Sequence, residues 1–161
     1  MSKYIESTGP HALGTLLTQV ETQEMALPDF QRDFVWDPWA TQELIVSLAQ
    51  DNPAGSLLRI RNTKDYFSAR AVQGAPDLVN RPTYLLLDGQ QRMTSLYQAF
   101  YGKGDYRYFL NIPDLLEEDS FDEAMFHVRA NAKKGLQAQQ LKKYSTLEGQ
   151  FEDRVFPMEV L

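Results

Sequence analysis

The chain has 161 residues, 43% hydrophobic and 24% charged, with a formal net charge of -6 and a pI near 4.9. It contains no cysteine, which excludes disulfides, thiolate metal sites and cysteine nucleophiles, and its acidic balance argues against indiscriminate binding to a nucleic-acid backbone. No stretch resembles a membrane span, and Met1 to Pro10 lack the apolar core of a secretory signal, so the chain reads as one soluble cytoplasmic domain, 1–161.

In chain order, Leu13, Leu16, Leu17 and Val20 recur at i, i+3, i+4 and i+7, the apolar stripe of a helix, with Pro10 suited to its first turn. Met25-Ala26-Leu27-Pro28 is a short strand. The run from Asp29 to Trp36 alternates charged and aromatic residues, an extended stretch that would put Phe30, Phe34 or Trp36 on a core and leave Gln31 or Arg32 facing elsewhere. Asp37-Pro38 is an N-cap followed by a first-turn proline. The helix it opens runs through Trp39, Leu44, Ile45 and Leu48 and stops near Asn52-Pro53.

Ser56 to Arg61 reads as a strand, and Asn62 to Pro82 as a polar, variable loop with a short strand near Tyr66-Phe67. Tyr84-Leu85-Leu86-Leu87 is a continuous apolar run, the signature of a buried central strand. Gly89 then turns the chain into a helix with Met93, Leu96, Tyr97 and Phe100 on one stripe, ended by Gly102 and Gly104. Tyr106 to Ile112 and Ala124 to Arg129 form two further strands, read as a pair, and Lys133 to Asp153 is polar and partly helical. The last residues, Val155 to Leu161, are apolar and stop abruptly. A terminus is usually polar, so the expectation is the N-terminal part of a longer protein. Its apolar end would pack on the domain or form a homodimer contact.

Chemistry concentrates at Leu87-Asp88-Gly89-Gln90-Gln91-Arg92, where the buried strand hands over to the amphipathic helix. A helix start carries unpaired N–H groups and partial positive charge, a ready place for an anion. Gly89 permits close approach of the backbone, and Arg92 offers a forked cationic donor to phosphate. Gln90 and Gln91 can orient a water or read a ring edge. Asp88 can hold magnesium, a ribose hydroxyl or an arginine. The plainer alternative is a capped helix start, with Asp88 as the cap, solvated glutamines and Arg92 paired to a carboxylate. Gln31 and Arg32 can complete a phosphate site from across a cleft.

Other residues carry weaker signals. His11 and His127 are isolated, which suits structural or surface roles better than metal binding. Trp36 and Trp39 read as packing residues rather than base-stacking ones. Glu117-Glu118-Asp119 reads as a solvated helix end. Arg59 with Arg61, Arg129 with Lys133 and Lys134, and Lys142-Lys143 read as solvated surface charge.

Taken together, four blocks in order resemble the family known as domain of unknown function 262, the N-terminal domain of GmrSD-type restriction enzymes, within the ParB/sulfiredoxin-like superfamily. The blocks are Leu27 to Trp36, Glu43 to Leu48, Pro53 to Leu58, and Leu87 to Leu96. The resemblance covers roughly residues 10–101. It implies an α+β fold, a small mixed sheet with flanking helices. It also implies a regulatory domain of a phage-defence or modification-dependent restriction protein. Such a domain binds, or binds and hydrolyses, a nucleoside triphosphate with or without magnesium. DNA would be met through the full-length protein, with a downstream nuclease or helical domain as partner and any cutting done by the nuclease.

The site this implies comprises Gln31, Arg32, Gly89 and Arg92 for the nucleotide. Asp88, Gln90, Gln91 and Arg92 are its candidate catalytic residues, and no metal ligand is fixed. Arg32 and Arg92 would stabilise phosphate charge, Gln90 or Gln91 would position water, and Asp88 would orient Arg92 or a magnesium ion. The rival readings are a non-catalytic DNA-sensing module and a weak ParB-like nuclease. Sulfiredoxin chemistry is excluded because it needs a cysteine.

Overall fold

A computed structural model describes residues 11–64 and 67–159. Among them are seven helices and seven strands, so the α+β class holds, and no helix is long and apolar enough to cross a membrane. The strands divide between two sheets. Contacts of the described residues cluster in two compact units, each assembled from two stretches of chain: those up to 35 with those from 55 to 97, and those from 36 to 54 with those from 98 onward.

The first unit begins with α1 (Leu13–Glu21), whose stripe buries Leu16, Leu17 and Val20. Next comes β1 (Met25–Pro28), buried along its whole length. β2 (Leu58–Arg61), β3 (Ala69–Arg70) and β4 (Tyr84–Asp88) complete a mixed sheet in the order β2-β4-β1-β3. β1 runs parallel to β4, with Met25 opposite Tyr84, and antiparallel to β3, with Leu27 opposite Arg70. β4 is therefore one of the two inner strands, with β1, as its apolar run requires: Leu85 and Leu86 are fully buried. α3 (Gln90–Phe100) follows after one residue and buries Met93, Leu96 and Tyr97. The buried Tyr97 hydroxyl donates to the Glu21 carboxylate.

Three expectations need correction here. Asp29 to Trp36 contains no strand, and Phe30 is 63% exposed rather than in the core, its ring packed edge-on against Phe67 at 5.0 Å. Alternation misleads because side-chain hydrogen bonds, not a ladder, fix this segment's backbone. The strand in the 62–82 segment lies at Ala69–Arg70 rather than near Phe67; Tyr66 is outside the described residues. Arg59 is not a solvated charge: it stacks over the Tyr84 ring at 4.3 Å and donates to Gln19 at 2.9 Å.

The second unit holds α2 (Pro38–Ala49), capped by the Asp37 carboxylate, which accepts the Ala40 N–H at 2.8 Å. Its sheet is antiparallel, in the order β6-β5-β7, from β5 (Tyr106–Asn111), β6 (Met125–Arg129) and β7 (Val155–Pro157). Phe109, Val128 and Val155 form its core, with Phe126, Leu141 and Tyr144 packed against them. Four short helices complete the unit: α4 (Ile112–Glu118), α5 (Phe121–Ala124), α6 (Gly135–Tyr144) and α7 (Leu147–Asp153). Lys143 stays at the surface, as expected, and there pairs with Asp153 at 2.8 Å and Glu152 at 3.1 Å. Trp39 does not pack as expected. It is 62% exposed and makes a T-shaped ring contact with His127, 4.6 Å between centroids. The apolar end of the chain docks in part: Val155 is buried and the Met158 N–H donates to Tyr108 O at 2.9 Å. Val160 and Leu161 lie outside the described residues.

Candidate functional site

The junction between β4 and α3 is a single residue. β4 ends at Asp88, Gly89 takes φ +88°, and α3 starts at Gln90. The first helical hydrogen bond runs from the Met93 N–H to Gly89 O at 2.9 Å, so Gly89, not Asp88, stands at the cap position. A Cβ on Gly89 would lie 2.3 Å from the Leu57 side chain. The backbone conformation therefore calls for glycine, and any Cβ would also have to displace the Leu57 side chain.

Arg92, one turn in, folds back over a second glycine. Its Nη2 donates to Ser56 O at 2.7 Å and lies 3.5 Å from an Asp88 carboxylate oxygen. Gly55 takes φ +84°, and a Cβ there would come within 2.2 Å of Arg92 Nη1. The Pro53-to-Leu58 block and the Asp-Gly-Gln-Gln-Arg block are thus two halves of one arginine cradle. Asp88 stays largely exposed, at 69% of its side chain.

The loop after β1 is fastened to this junction almost entirely by side chains. Gln31 Nε2 donates to Leu86 O at 2.8 Å and Leu87 O at 2.9 Å. Gln90 Nε2 donates to Arg32 O at 2.6 Å, and Gln91 Nε2 to Asp33 O at 3.0 Å. Gln91 Oε1 accepts the Val35 N–H at 2.9 Å. The two motifs meet in space although 58 positions separate Gln90 from Arg32.

These bonds sort the candidates. Gln91 is buried with both ends of its amide engaged on the loop, which is a fastening role. Gln31 and Gln90 each use the amide nitrogen and keep a buried oxygen with no hydrogen-bond partner. Flipping either amide would set its oxygen against a carbonyl, so the orientation is fixed. Arg32 is exposed, its carbonyl gripped while its guanidinium has no partner among the described residues.

Sequence reasoning passed over Arg70, which lay within the segment read as a variable loop. Its Nη2 donates to both Gln31 O and Arg32 O at 3.0 Å and stands 3.7 Å from the Asp33 carboxylate. Arg70 is one of two arginines, with Arg81, in a polar, turn-rich stretch that carries no periodicity.

Among the described residues no three His, Asp or Glu side chains are grouped to hold a metal ion. Magnesium typically takes one or two carboxylates and completes its shell with phosphate oxygens and water.

The family model described as GmrSD restriction endonuclease, N-terminal domain, matches residues 13–157. An uncharacterized protein of Methanocaldococcus jannaschii is 32% identical over 153 residues, 86% of this chain. The chain spans 26% of the length of that relative. No solved structure matches the chain.

Proposed function

The chain belongs to the family of GmrSD restriction endonuclease N-terminal domains, and from that premise we propose that it binds a nucleoside triphosphate at the β4–α3 junction and so regulates a restriction protein. The observation that supports this most is the tethering of the Arg32 backbone to Gln90, at 2.6 Å, in the first turn of α3. It brings an uncommitted arginine to a helix start whose leading N–H groups attract anions.

In this reading Arg32 and Arg92 stabilise phosphate charge, the second held ready by Ser56 O. Asp88, already beside Arg92, orients that guanidinium or takes a magnesium ion arriving with the nucleotide. Gln90 is the better of the two glutamines for orienting a water, because its Oε1 lacks a partner whereas both ends of Gln91 are engaged. Phosphoryl transfer depends mainly on positioning and charge stabilisation, so a site without a nucleophilic side chain is sufficient for hydrolysis. The net charge of -6 suits a small triphosphate better than a duplex, which needs many phosphate contacts over a basic surface.

Calorimetry with ATP, GTP and CTP, with and without magnesium, tests the reading. Wild type is expected to bind a triphosphate, and Arg92→Ala to weaken it by about 1.5–3 kcal/mol, the range for a hydrogen bond to a charged group. Salt-sensitive binding of duplex DNA with no triphosphate binding would replace this reading with a DNA-sensing one.

A further inference from the structure

We propose that Arg70 is the positioning residue for Arg32, holding its backbone so that its guanidinium can meet the anion; this rests on the nucleotide reading of the site. β3 is only two residues long, yet its register sets Arg70 opposite Leu27, just before the chain leaves β1. From there one nitrogen, Nη2, reaches two consecutive carbonyls, Gln31 O and Arg32 O, each at 3.0 Å. Gln90 Nε2 reaches the same Arg32 carbonyl at 2.6 Å. A carbonyl oxygen has two lone pairs, so Arg32 O is saturated by two side chains from different elements. One comes from the sheet edge and one from the start of α3.

That arrangement fixes the Arg32 backbone from two sides and leaves its side chain uncommitted. An arginine needed only for charge at the surface would not require it. An arginine that must present a fork to phosphate would, because loose placement of a charged group weakens what it can do. Arg70 also lies 3.7 Å from Asp33, whose side chain is 93% exposed.

The test is a double-mutant cycle on the full chain with Arg70→Ala, Arg32→Ala and both together. Affinity for ATP and for inorganic tripolyphosphate is read by calorimetry, and hydrogen exchange at the amides of 31–35 is read in parallel. Arg70→Ala should lower affinity roughly tenfold, the order expected for one charge-assisted contact. It should have no further effect once Arg32 is gone, and the 31–35 amides should exchange faster. Arg70→Lys, which keeps a donor for the two carbonyls, should restore most of the affinity. Equal losses from Arg70→Ala in both backgrounds would overturn the proposal, as would unchanged exchange in a folded Arg70→Ala chain. If wild type binds neither probe, the nucleotide reading fails. The exchange measurement then decides separately whether Arg70 fixes the Arg32 backbone.

Discussion

Gln91 holds Val35 by accepting its backbone N–H at 2.9 Å, across 56 positions of sequence, while the other end of the same amide donates to Asp33 O. Gln91→Glu keeps the size and removes the donor, setting a carboxylate oxygen against a carbonyl. The variant should lose about 1–3 kcal/mol of stability at neutral pH, the cost of an unsatisfied buried group. Protonation restores an O–H that can donate to Asp33 O, so the introduced carboxyl has a raised folded-state pKa. Its stability should be recovered below the unfolded value of about 4.3 and lost as pH rises through the folded one. Denaturant unfolding of wild type and variant across pH 4 to 8 checks this; a pH-independent difference would show that the bond to Asp33 is not the cause.

Gly89→Ala should destabilise the chain by more than about 1 kcal/mol, because alanine resists a positive φ. The new methyl would also meet Leu57 at 2.3 Å. Gly135 also takes a positive φ, +76°, but in open space, so Gly135→Ala should be milder. Urea midpoints of the two variants, side by side, separate crowding from backbone strain.

His127 should make the second unit sensitive to acid. Its Nδ1 faces Gln42 Oε1 at 2.8 Å, and the Gln42 amide orientation is fixed by its donation to Met125 O. Nδ1 therefore carries the hydrogen. Trp39, Tyr106 and Tyr108 surround the ring, Asp37 acts on it by charge, and Arg129 sits beyond Tyr106. Burial pushes its pKa below 6.5, with Asp37 opposing. The unfolded chain then binds the proton more readily, so stability is full above pH 6.5 and declines as pH falls from there to the folded value. Thermal midpoints from pH 7.5 to 5, compared with His127→Gln, should show the dependence flatten in the variant. A His127 NMR titration centred at or above 6.5 would refute the argument.

Leu147 and Phe151 are 72% and 78% exposed, one helical turn apart on α7. Adjacent apolar side chains left in water favour association. Sedimentation of the chain at rising concentration should show weak self-association that Leu147→Glu with Phe151→Glu abolishes, with unfolding midpoints unchanged. Monomer at every concentration in both would remove this face from consideration as a homodimer contact.

Much of this molecule was legible from its pattern. The stripes at Leu13 to Val20 and Met93 to Phe100, the apolar run at Tyr84 to Leu87 and the Asp37-Pro38 cap each became the element they imply. The meeting of Gln31-Arg32 with Asp-Gly-Gln-Gln-Arg was suggested by residue chemistry and by a resemblance, and its bonds are now visible. The rest was hidden for physical reasons. The 29–36 loop takes its shape from distant side chains, so alternation there carried no information about burial. Arg70 acts through a single nitrogen on two carbonyls, and no spacing announces such a contact. Asn111-Ile112-Pro113 conceals a strand end and a helix cap in three residues, where continued strand was the simpler reading.

The assembly of each unit from two separated stretches bears on how the chain comes off the ribosome. Gln42, on α2, finds its carbonyl partner Met125 83 positions later. At about 5–20 residues per second, that leaves α2 waiting for its sheet on the order of ten seconds. Meanwhile the 55–97 stretch emerges and can pair β4 with the already synthesised β1. Vectorial synthesis thus favours completing the arginine-bearing unit first, with an apolar helix parked in its middle. A nascent chain arrested between Tyr97 and Met125 would be the species most in need of a chaperone.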